Sequence, residues 1–170
     1  MITLIALIGS LVAFRTLGTF GVTRFASWSA GAAHALAVML VMTGTAHFMP
    51  ASVTVMPNYD DMVAMIPPFV PFPGFMVLAS GVLELLAALG LILTRTRWVA
   101  GWALVPLFLL LLPANIYAAL NDIPFAGEPA SPLWQRIPEQ VLYIGFAVWA
   151  TRSAPRVVPA LRRREPVATT

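Results

Sequence analysis

Apolar residues dominate five separate stretches of this chain, and polar residues are concentrated between them. The stretches cover residues 2–14, 27–49, 75–93, 98–120 and 137–150. A helix needs about 20 apolar residues to cross the hydrocarbon of a bilayer, and the middle three stretches reach that length. The last is shorter, yet Trp134 and Pro138 suit a start at the membrane–water interface. The pattern therefore predicts an all-α integral membrane protein with five transmembrane helices.

The first stretch also has the length of the apolar core of a signal peptide. Signal peptides carry basic residues before that core and small residues at the cleavage site. Here Arg15 follows the apolar residues, and no small-x-small pattern precedes it. We therefore expect a retained N-terminal helix, and its length leaves open whether residues 2–14 span the bilayer fully.

Composition agrees with a membrane location. Hydrophobic residues make up 59% of the 170 residues, charged residues only 10%, and the mean hydropathy is +0.85. A soluble domain has about 25% charged residues, so this chain has too few charges to cover a water-facing surface. Its length suits one domain. We expect a single transmembrane domain over residues 1–152 and a disordered, Arg-rich cytoplasmic tail over residues 153–170.

Two classes of chemistry are disfavoured by the residue types present. The net charge of +3 is no nucleic-acid footprint, because the arginines flank apolar stretches and form no surface stripe. The absence of cysteine excludes disulfides, iron–sulfur ligation and thiol chemistry by this chain. We expect neither a nucleic-acid partner nor a metal site.

The arginines also predict the orientation. With five alternating spans, nine of the ten arginines fall on one side and only Arg136 on the other. Basic residues accumulate on the cytoplasmic side of membrane proteins. The N-terminus should therefore lie outside and the C-terminus inside. Since every basic residue is arginine and alanine is abundant, we expect a multi-pass protein of a bacterial inner membrane.

The Pro-rich connection over residues 50–74 should contain a short helix over DDMVAM. Asn58 or Asp60 could cap its start, because short polar side chains accept hydrogen bonds from the first backbone N–H groups. We expect this helix to lie flat at the interface with three apolar side chains toward lipid. These are Met62, Met65 and Ile66.

Ionisable groups inside membrane spans are functional candidates, because each costs about 2.5–3.5 kcal/mol to insert. Glu84 lies about 15 Å from the outer end of the third span, near the bilayer midplane, at 1.5 Å per residue. Three other spans place polar side chains in the outer half, namely His47, Asn115, Glu139 and Gln140. In a bundle these five residues would line one ligand-binding cavity that opens outward, with Glu84 at its floor.

Glu84 would be either neutral or paired with His47. Direct pairing requires that the two helices are staggered or tilted, and otherwise water or Asn115 would bridge them. Structural alternatives remain for both residues: Glu84 could fix helix packing by hydrogen bonds, and Asn115 could satisfy backbone groups freed by Pro113.

A second intramembrane histidine, His34, lies thirteen residues before His47. Thirteen residues turn a helix by about 220° from the starting direction, so the two side chains face different ways. We therefore expect that they share no metal or haem, and that His34 is a packing residue.

Residues 44–120 resemble the DoxX-like family of small bacterial membrane proteins. Five motifs carry the resemblance, in order and with the expected spacing: GTAHF at 44–48, MIPPFVPFPG at 65–74, SGVLELLAALGLIL at 80–93, RTR with AGW after it at 95–102, and LPANIYAAL at 112–120. The first helix, the fifth helix and the tail lie outside it.

The resemblance implies a four-helix bundle, to which this chain would add an N-terminal helix. Members of the family are linked to quinol oxidase or thiosulfate–quinone oxidoreductase assemblies, and others to oxidative-stress complexes at the membrane. It transfers no catalytic residues. It implies an accessory or quinone-associated subunit of a membrane redox assembly, without an electron carrier or covalently bound cofactor of its own and incomplete as an enzyme alone.

The expected partners are the lipid bilayer and a redox protein, and a homo-oligomer is compatible with this expectation. Two alternatives remain open. One is a proton-coupled binder or transporter of a small molecule, with Glu84 carrying the proton. The other is a structural assembly factor that needs only its shape and its lipid-facing surface.

Overall fold

The computed structural model describes residues 2–53 and 56–155, and within these ranges the chain is helical and has no β-strand. Most of the predicted tail, residues 156–170, lies outside them. Six helices follow one another: α1 Ile2–Thr19, α2 Trp28–Ala46, α3 Tyr59–Ala64, α4 Pro73–Ile92, α5 Arg97–Leu120 and α6 Leu133–Thr151. A 3₁₀ turn, Thr23–Phe25, lies between α1 and α2.

Four of the helices, α1, α2, α4 and α5, have the length and apolar composition of membrane spans. The stretches that predicted them agree with the observed helices to within a few residues, and α1 continues past Arg15. The fifth predicted span corresponds to α6, which begins at Leu133 and has polar residues in its first two turns. Helix α6 is therefore long enough to cross a bilayer but less apolar than the other four.

Helix α2 lies at the centre of the packing. It packs against α4, α4 against α5, α5 against α6, and α6 returns to α2, so these four helices form a closed bundle. Helix α1 packs on α2 from outside this ring. Most of α2 is buried because its first half, over residues 30–37, is nearly all alanine and glycine, and small residues let neighbouring helices approach closely. This is the predicted bundle with an added N-terminal helix.

Helices α2 and α4 approach each other closely where Gly44 and Gly81 face the opposite helix. A Cβ atom on Gly81 would lie 2.6 Å from Cβ of His47, and one on Gly44 would lie 3.0 Å from Cγ of Leu85. No side chain larger than hydrogen fits at Gly81 without movement. Through this contact His47 packs on α4 at the level of Gly81, which lies about one turn before Glu84.

Helix α3 lies in the connection between α2 and α4 and begins at Asn58, one of the two predicted caps. The Asn58 side chain accepts from the Asp61 N–H at 3.1 Å, and the Asp61 carboxylate accepts from the Asn58 N–H at 3.2 Å. The same carboxylate accepts from the Ala126 N–H at 3.3 Å. Asp61 therefore caps α3 and also ties it to the loop between α5 and α6.

Candidate binding site

A cavity of about 190 Å³ lies between α2, α4, α5 and α6 at the end of the bundle where α3 packs. Apolar side chains form most of its wall. They are Met39, Met62, Met65, Ile66, Val77, Phe108, Leu111, Ala114 and Phe125. The polar lining consists of Thr43, His47, Ser80, Glu84, Asn115, Gln140 and Tyr143. Polar groups from four helices therefore meet in one largely apolar space.

Four of the five predicted site residues line this cavity, and the fifth does not. His47, Glu84 and Gln140 are buried, and Asn115 is half-buried. Glu139 lies beside the cavity, where its carboxylate accepts from the Gln135 amide at 3.1 Å. Adjacent residues on a helix point about 100° apart, so Gln140 faces the cavity and Glu139 does not. A ligand-binding role for these side chains remains a prediction.

Glu84 and His47 contact each other directly, with 3.6 Å between Oε1 of Glu84 and Nε2 of His47. The helices are staggered, as direct pairing requires. His47, at the end of α2, lies level with Gly81, which is about 4.5 Å along α4 from Glu84. Asn115 does not bridge the pair, because its side chain bonds elsewhere.

The hydrogen bonds of His47 define its tautomer. Its Nδ1 lies 2.7 Å from the carbonyl oxygen of Val77 and 3.3 Å from the hydroxyl of Ser80. A carbonyl oxygen only accepts, so Nδ1 carries a hydrogen and donates it to Val77. The nitrogen that faces Glu84 is therefore free to be protonated or not. Glu84 and His47 can hold one proton between them, either as a neutral acid beside a neutral imidazole or as an ion pair.

Thr43 completes the surroundings of Glu84. Its hydroxyl lies 2.5 Å from Oε2 of Glu84 and 3.2 Å from the carbonyl oxygen of Met39. A hydroxyl has one hydrogen to donate. Thr43 therefore donates to Glu84 when the carboxylate is ionised, and can turn to Met39 and accept from Glu84 when the carboxyl is protonated. The site accommodates both states of Glu84.

The opposite wall of the cavity connects α5 with α6. The Arg136 guanidinium donates to Oδ1 of Asn115 at 2.9 Å, and the Asn115 amide donates to the carbonyl oxygen of Leu111 at 3.2 Å. The Gln140 amide donates to the carbonyl oxygen of Phe108. Pro113 frees the carbonyl four residues earlier, that of residue 109, so the bond from Asn115 to Leu111 is not the predicted repair.

Helix α3 and the residues that follow it form part of the wall of the cavity. The expected orientation of their apolar residues was wrong. Met62, Met65 and Ile66 line the cavity together with Phe125 from the loop between α5 and α6, and Met65 is only 8% exposed. An amphipathic segment can bury its apolar face in lipid or in protein, and here the cavity provides the closer apolar surface.

Three polar lining residues were missed by sequence reasoning. Thr43 precedes His47 by four residues, Ser80 precedes Glu84 by four, and Tyr143 follows Gln140 by three. Residues three or four apart lie on the same face of a helix, so this spacing could have found all three. Their uncharged hydroxyl groups cost less to bury than a carboxylate, and for that reason they gave no separate signal.

The other histidine, His34, lies at the opposite end of the bundle, 6% exposed, between the rings of Phe14 and Phe25. It is a buried packing residue and does not approach the cavity. Among residues 2–53 and 56–155, no three histidine, aspartate or glutamate side chains are placed to hold a metal ion.

The comparisons with known proteins give one match. Residues 36–152 match the family described as a domain of unknown function, DUF8561. The match begins inside α2 and ends just after α6, so it contains every residue that lines the cavity and leaves out α1. No curated protein and no solved structure matches the chain.

Proposed function

The chain belongs to the DUF8561 family, and we propose that it is a quinone-binding accessory subunit of a membrane redox assembly, with the quinone headgroup in the cavity beside Glu84 and His47. One observation carries this proposal. A buried carboxyl and a buried imidazole, 3.6 Å apart, line a largely apolar cavity, and three of the four helices around it are apolar enough to span a membrane.

A quinone fits this arrangement for chemical reasons. Its two carbonyl oxygens accept hydrogen bonds, and its reduction to a quinol takes up two electrons and two protons. Glu84 and His47 can donate their one proton to one carbonyl oxygen, and the second proton of the reduction would come from water at the other carbonyl oxygen. The electrons would come from a partner protein, because we assign this chain no electron carrier.

The size and walls of the cavity suit one ring. Pockets that enclose drug-sized ligands have volumes of about 300–1,000 Å³, and this cavity is smaller. Met39, Met65 and Phe108 present apolar, polarisable surfaces, which pack well against the face of an aromatic or quinonoid ring. An isoprenoid tail would have to leave the cavity between helices toward the bilayer.

The resemblance of residues 44–120 to the DoxX-like family supports the assignment to a redox assembly. Those residues include four of the polar lining residues, namely His47, Ser80, Glu84 and Asn115. The remaining polar wall comes from Thr43 on α2, one residue before the resemblance begins, and from Gln140 and Tyr143 on α6. The proposal of a quinone ligand therefore rests on the cavity, and only the proposal of a redox assembly rests on the resemblance.

The same proposal includes five spans, an outer N-terminus and a bacterial inner membrane. Helix α6 can span despite its polar first turns, because Arg136 and Gln140 bond to α5. The chain has no cysteine, so single cysteines report topology cleanly. We expect a membrane-impermeant maleimide to label Asp122→Cys in intact cells and Arg95→Cys only after lysis. Labelling of both in intact cells would contradict this topology.

The binding proposal is tested by thermal unfolding of the purified full chain in mild detergent. A short-chain quinone at 100 times its Kd should stabilise the folded protein by about 2.7 kcal/mol. Glu84→Gln should weaken this effect, because glutamine cannot share a proton with His47. Glu139→Gln is the matched control, since Glu139 lies outside the cavity, and it should respond like the wild type.

Two results would contradict quinone binding. One is an unchanged melting temperature of the wild type with both benzoquinones and naphthoquinones. The other is an equal shift in wild type and Glu84→Gln. If Glu84→Gln, His47→Ala and Asn115→Ala also leave cellular function intact while bulky residues at Gly81 do not, the chain acts as a structural assembly factor.

A further inference from the structure

A second cavity, of about 210 Å³, lies at the opposite end of the bundle between α1, α2 and α4. It is an apolar groove, and histidine is its one polar lining residue. The lining consists of Phe14, His34, Ala37, Val38, Val41 and Ile92. Val38 and Val41 on α2 are 41% and 46% exposed, so the groove opens on the surface of a bundle whose three lining helices are apolar enough to span a membrane.

Arg24 closes one end of this groove. Its Nε donates to Nε2 of His34 at 3.0 Å, and its Nη2 donates to the carbonyl oxygen of Ile92 at 2.9 Å. Nδ1 of His34 lies 2.8 Å from the carbonyl oxygen of Ala30 and therefore carries a hydrogen. His34 is thus neutral, with both ring nitrogens in use, and acts as a positioning residue that holds Arg24 at the mouth of the groove.

The positive charge around the mouth has no acidic counterpart. Arg97 donates to the carbonyl oxygen of Leu91 and to that of Ile92, the carbonyl that Arg24 also binds. Arg15 donates to the carbonyl oxygen of Phe25, the residue after Arg24. Within the ranges that the structure describes, no carboxylate lies within 4 Å of any arginine. Three arginines therefore surround one end of an apolar groove.

The side chain of Arg24 also keeps donor capacity. It is exposed, and its third guanidinium nitrogen, Nη1, makes no hydrogen bond to the described residues. Trp28, 55% exposed, lies near the same end with its ring 4.9 Å from the Arg15 guanidinium. Tryptophan accumulates at membrane interfaces, so this end of the groove lies at headgroup depth when the helices span a bilayer.

We propose that the groove binds one anionic phospholipid, with an acyl chain against Val38 and Val41 and the phosphate on Arg24. The occupant is a lipid because the groove faces the bilayer and is apolar along its length. It is anionic because basic pockets at helix ends attract headgroups with net negative charge. The proposal does not depend on quinone binding, because the cavity beside Glu84 and this groove share no lining residue.

Native mass spectrometry of the full chain in mild detergent tests this inference. We expect one molecule of phosphatidylglycerol to bind more tightly than phosphatidylcholine of the same acyl chains. Arg24→Gln should lower the affinity for phosphatidylglycerol about fivefold, in line with the contribution of one arginine near a membrane surface. Arg95→Gln removes the same charge from the exposed turn between α4 and α5 at the same end of the bundle, and it should change the affinity less than twofold.

Since Arg24 also binds α4, Arg24→Gln could unfold the protein, and Val41→Trp therefore provides a second test. Position 41 is exposed, so tryptophan there should fold, fill the groove and abolish the tight site. Equal affinities for the two lipids, equal losses for Arg24→Gln and Arg95→Gln, or an unchanged tight site in Val41→Trp would each overturn the proposal.

Discussion

The two ends of α2 carry the same residue in opposite surroundings. His47 directs Nδ1 at the carbonyl oxygen of Val77, and its Nε2 faces the Glu84 carboxyl. His34 directs Nδ1 at the carbonyl oxygen of Ala30, and its Nε2 accepts from Arg24. Both rings therefore hold the same nitrogen protonated through a backbone carbonyl, and only the partner of the second nitrogen differs.

That partner decides what each histidine can do. Arginine is always protonated in proteins and only donates, so His34 must stay neutral to accept from Arg24. A carboxyl can lose or keep its proton, so His47 and Glu84 can exchange one. Only the His47 end is suited to handling protons, and the His34 end presents a fixed positive charge. A histidine inside a membrane is thus no sign of proton chemistry until its neighbour is known.

The largest expected effect comes from separating α2 from α4 at the His47 end. In Gly81→Ala the new Cβ would lie 2.6 Å from Cβ of His47 and 2.9 Å from its Cγ. Overpacking of this kind costs about 1–3 kcal/mol, and we expect the free energy of unfolding in detergent to fall by that amount. Quinone binding should weaken with it, while phosphatidylglycerol binding at the His34 end stays as in the wild type.

Gly145→Ala is the matched control for this substitution. Gly145 is also helical, and a Cβ there meets nothing within 4 Å. Alanine in an open helical position is favoured over glycine by about 0.5–1 kcal/mol, so this variant should be as stable as the wild type or slightly more stable. Equal destabilisation of both variants would mean that the close contact at Gly81 is not what joins the helices.

The next effect compares the two histidine pairs by double-mutant cycles. One cycle combines Glu84→Gln with His47→Gln, and the other combines Arg24→Gln with His34→Gln. Contacting residues couple by about 0.5–3 kcal/mol, and we expect the upper half of that range for Glu84 and His47, which are 4% and 7% exposed. Arg24 is exposed to solvent, which screens its interaction, so its coupling with His34 should be smaller.

These couplings are measured by chemical unfolding in detergent at neutral pH. A larger coupling between Arg24 and His34 would contradict the view that burial strengthens the interaction between Glu84 and His47. Zero coupling at the His47 end would mean that the 3.6 Å contact between Glu84 and His47 contributes nothing to folding.

The sequence predicted most of this architecture, because membrane spans have strong compositional signals. The long apolar helices and the capped helix at Asn58 follow from apolar runs and from local hydrogen-bonding chemistry. Four of the five site residues share one cavity for an equally simple reason. A bundle in lipid turns its polar side chains inward.

Two features depend on tertiary packing and were beyond the sequence. The depth of His47 relative to Glu84 depends on the stagger of α2 against α4, which the contact at Gly81 sets. The direction of Met65 depends on which apolar surface α3 meets, and hydropathy does not distinguish lipid from a protein interior. Residue counting from helix ends therefore gives depth along one helix but not distances between helices.

A smaller effect is expected at α3, in the wall of the His47 cavity. Asp61→Ala removes both hydrogen bonds to the Asp61 carboxylate, from Asn58 and from Ala126. Loss of such a cap costs about 1 kcal/mol, so α3 should open more often. We expect a cysteine at position 65 to react severalfold faster with a thiol reagent in this background. Asp60→Ala is the control, and an equal acceleration there would exclude a specific role of Asp61.

The smallest effect concerns α1, the helix that contacts both His34 and the wall of the cavity beside His47. Its Phe14 packs against His34, and its Thr3 accepts a hydrogen bond from the Tyr143 hydroxyl at 3.0 Å in the cavity wall. Tyr143→Phe removes that bond and should cost about 0.5–1.5 kcal/mol of unfolding free energy. Tyr117→Phe is the matched control and should have less effect.

Thr3→Val distinguishes a local bond from a general loss of packing. If Thr3 and Tyr143 act through their hydrogen bond, the double variant should be no less stable than the weaker single variant, because the bond is already absent in either one. Additive losses would show that α1 packs beside the cavity wall without being coupled to it. Since α1 lies outside the DUF8561 match, a coupled result would show that a helix beyond the matched residues stabilises the cavity wall.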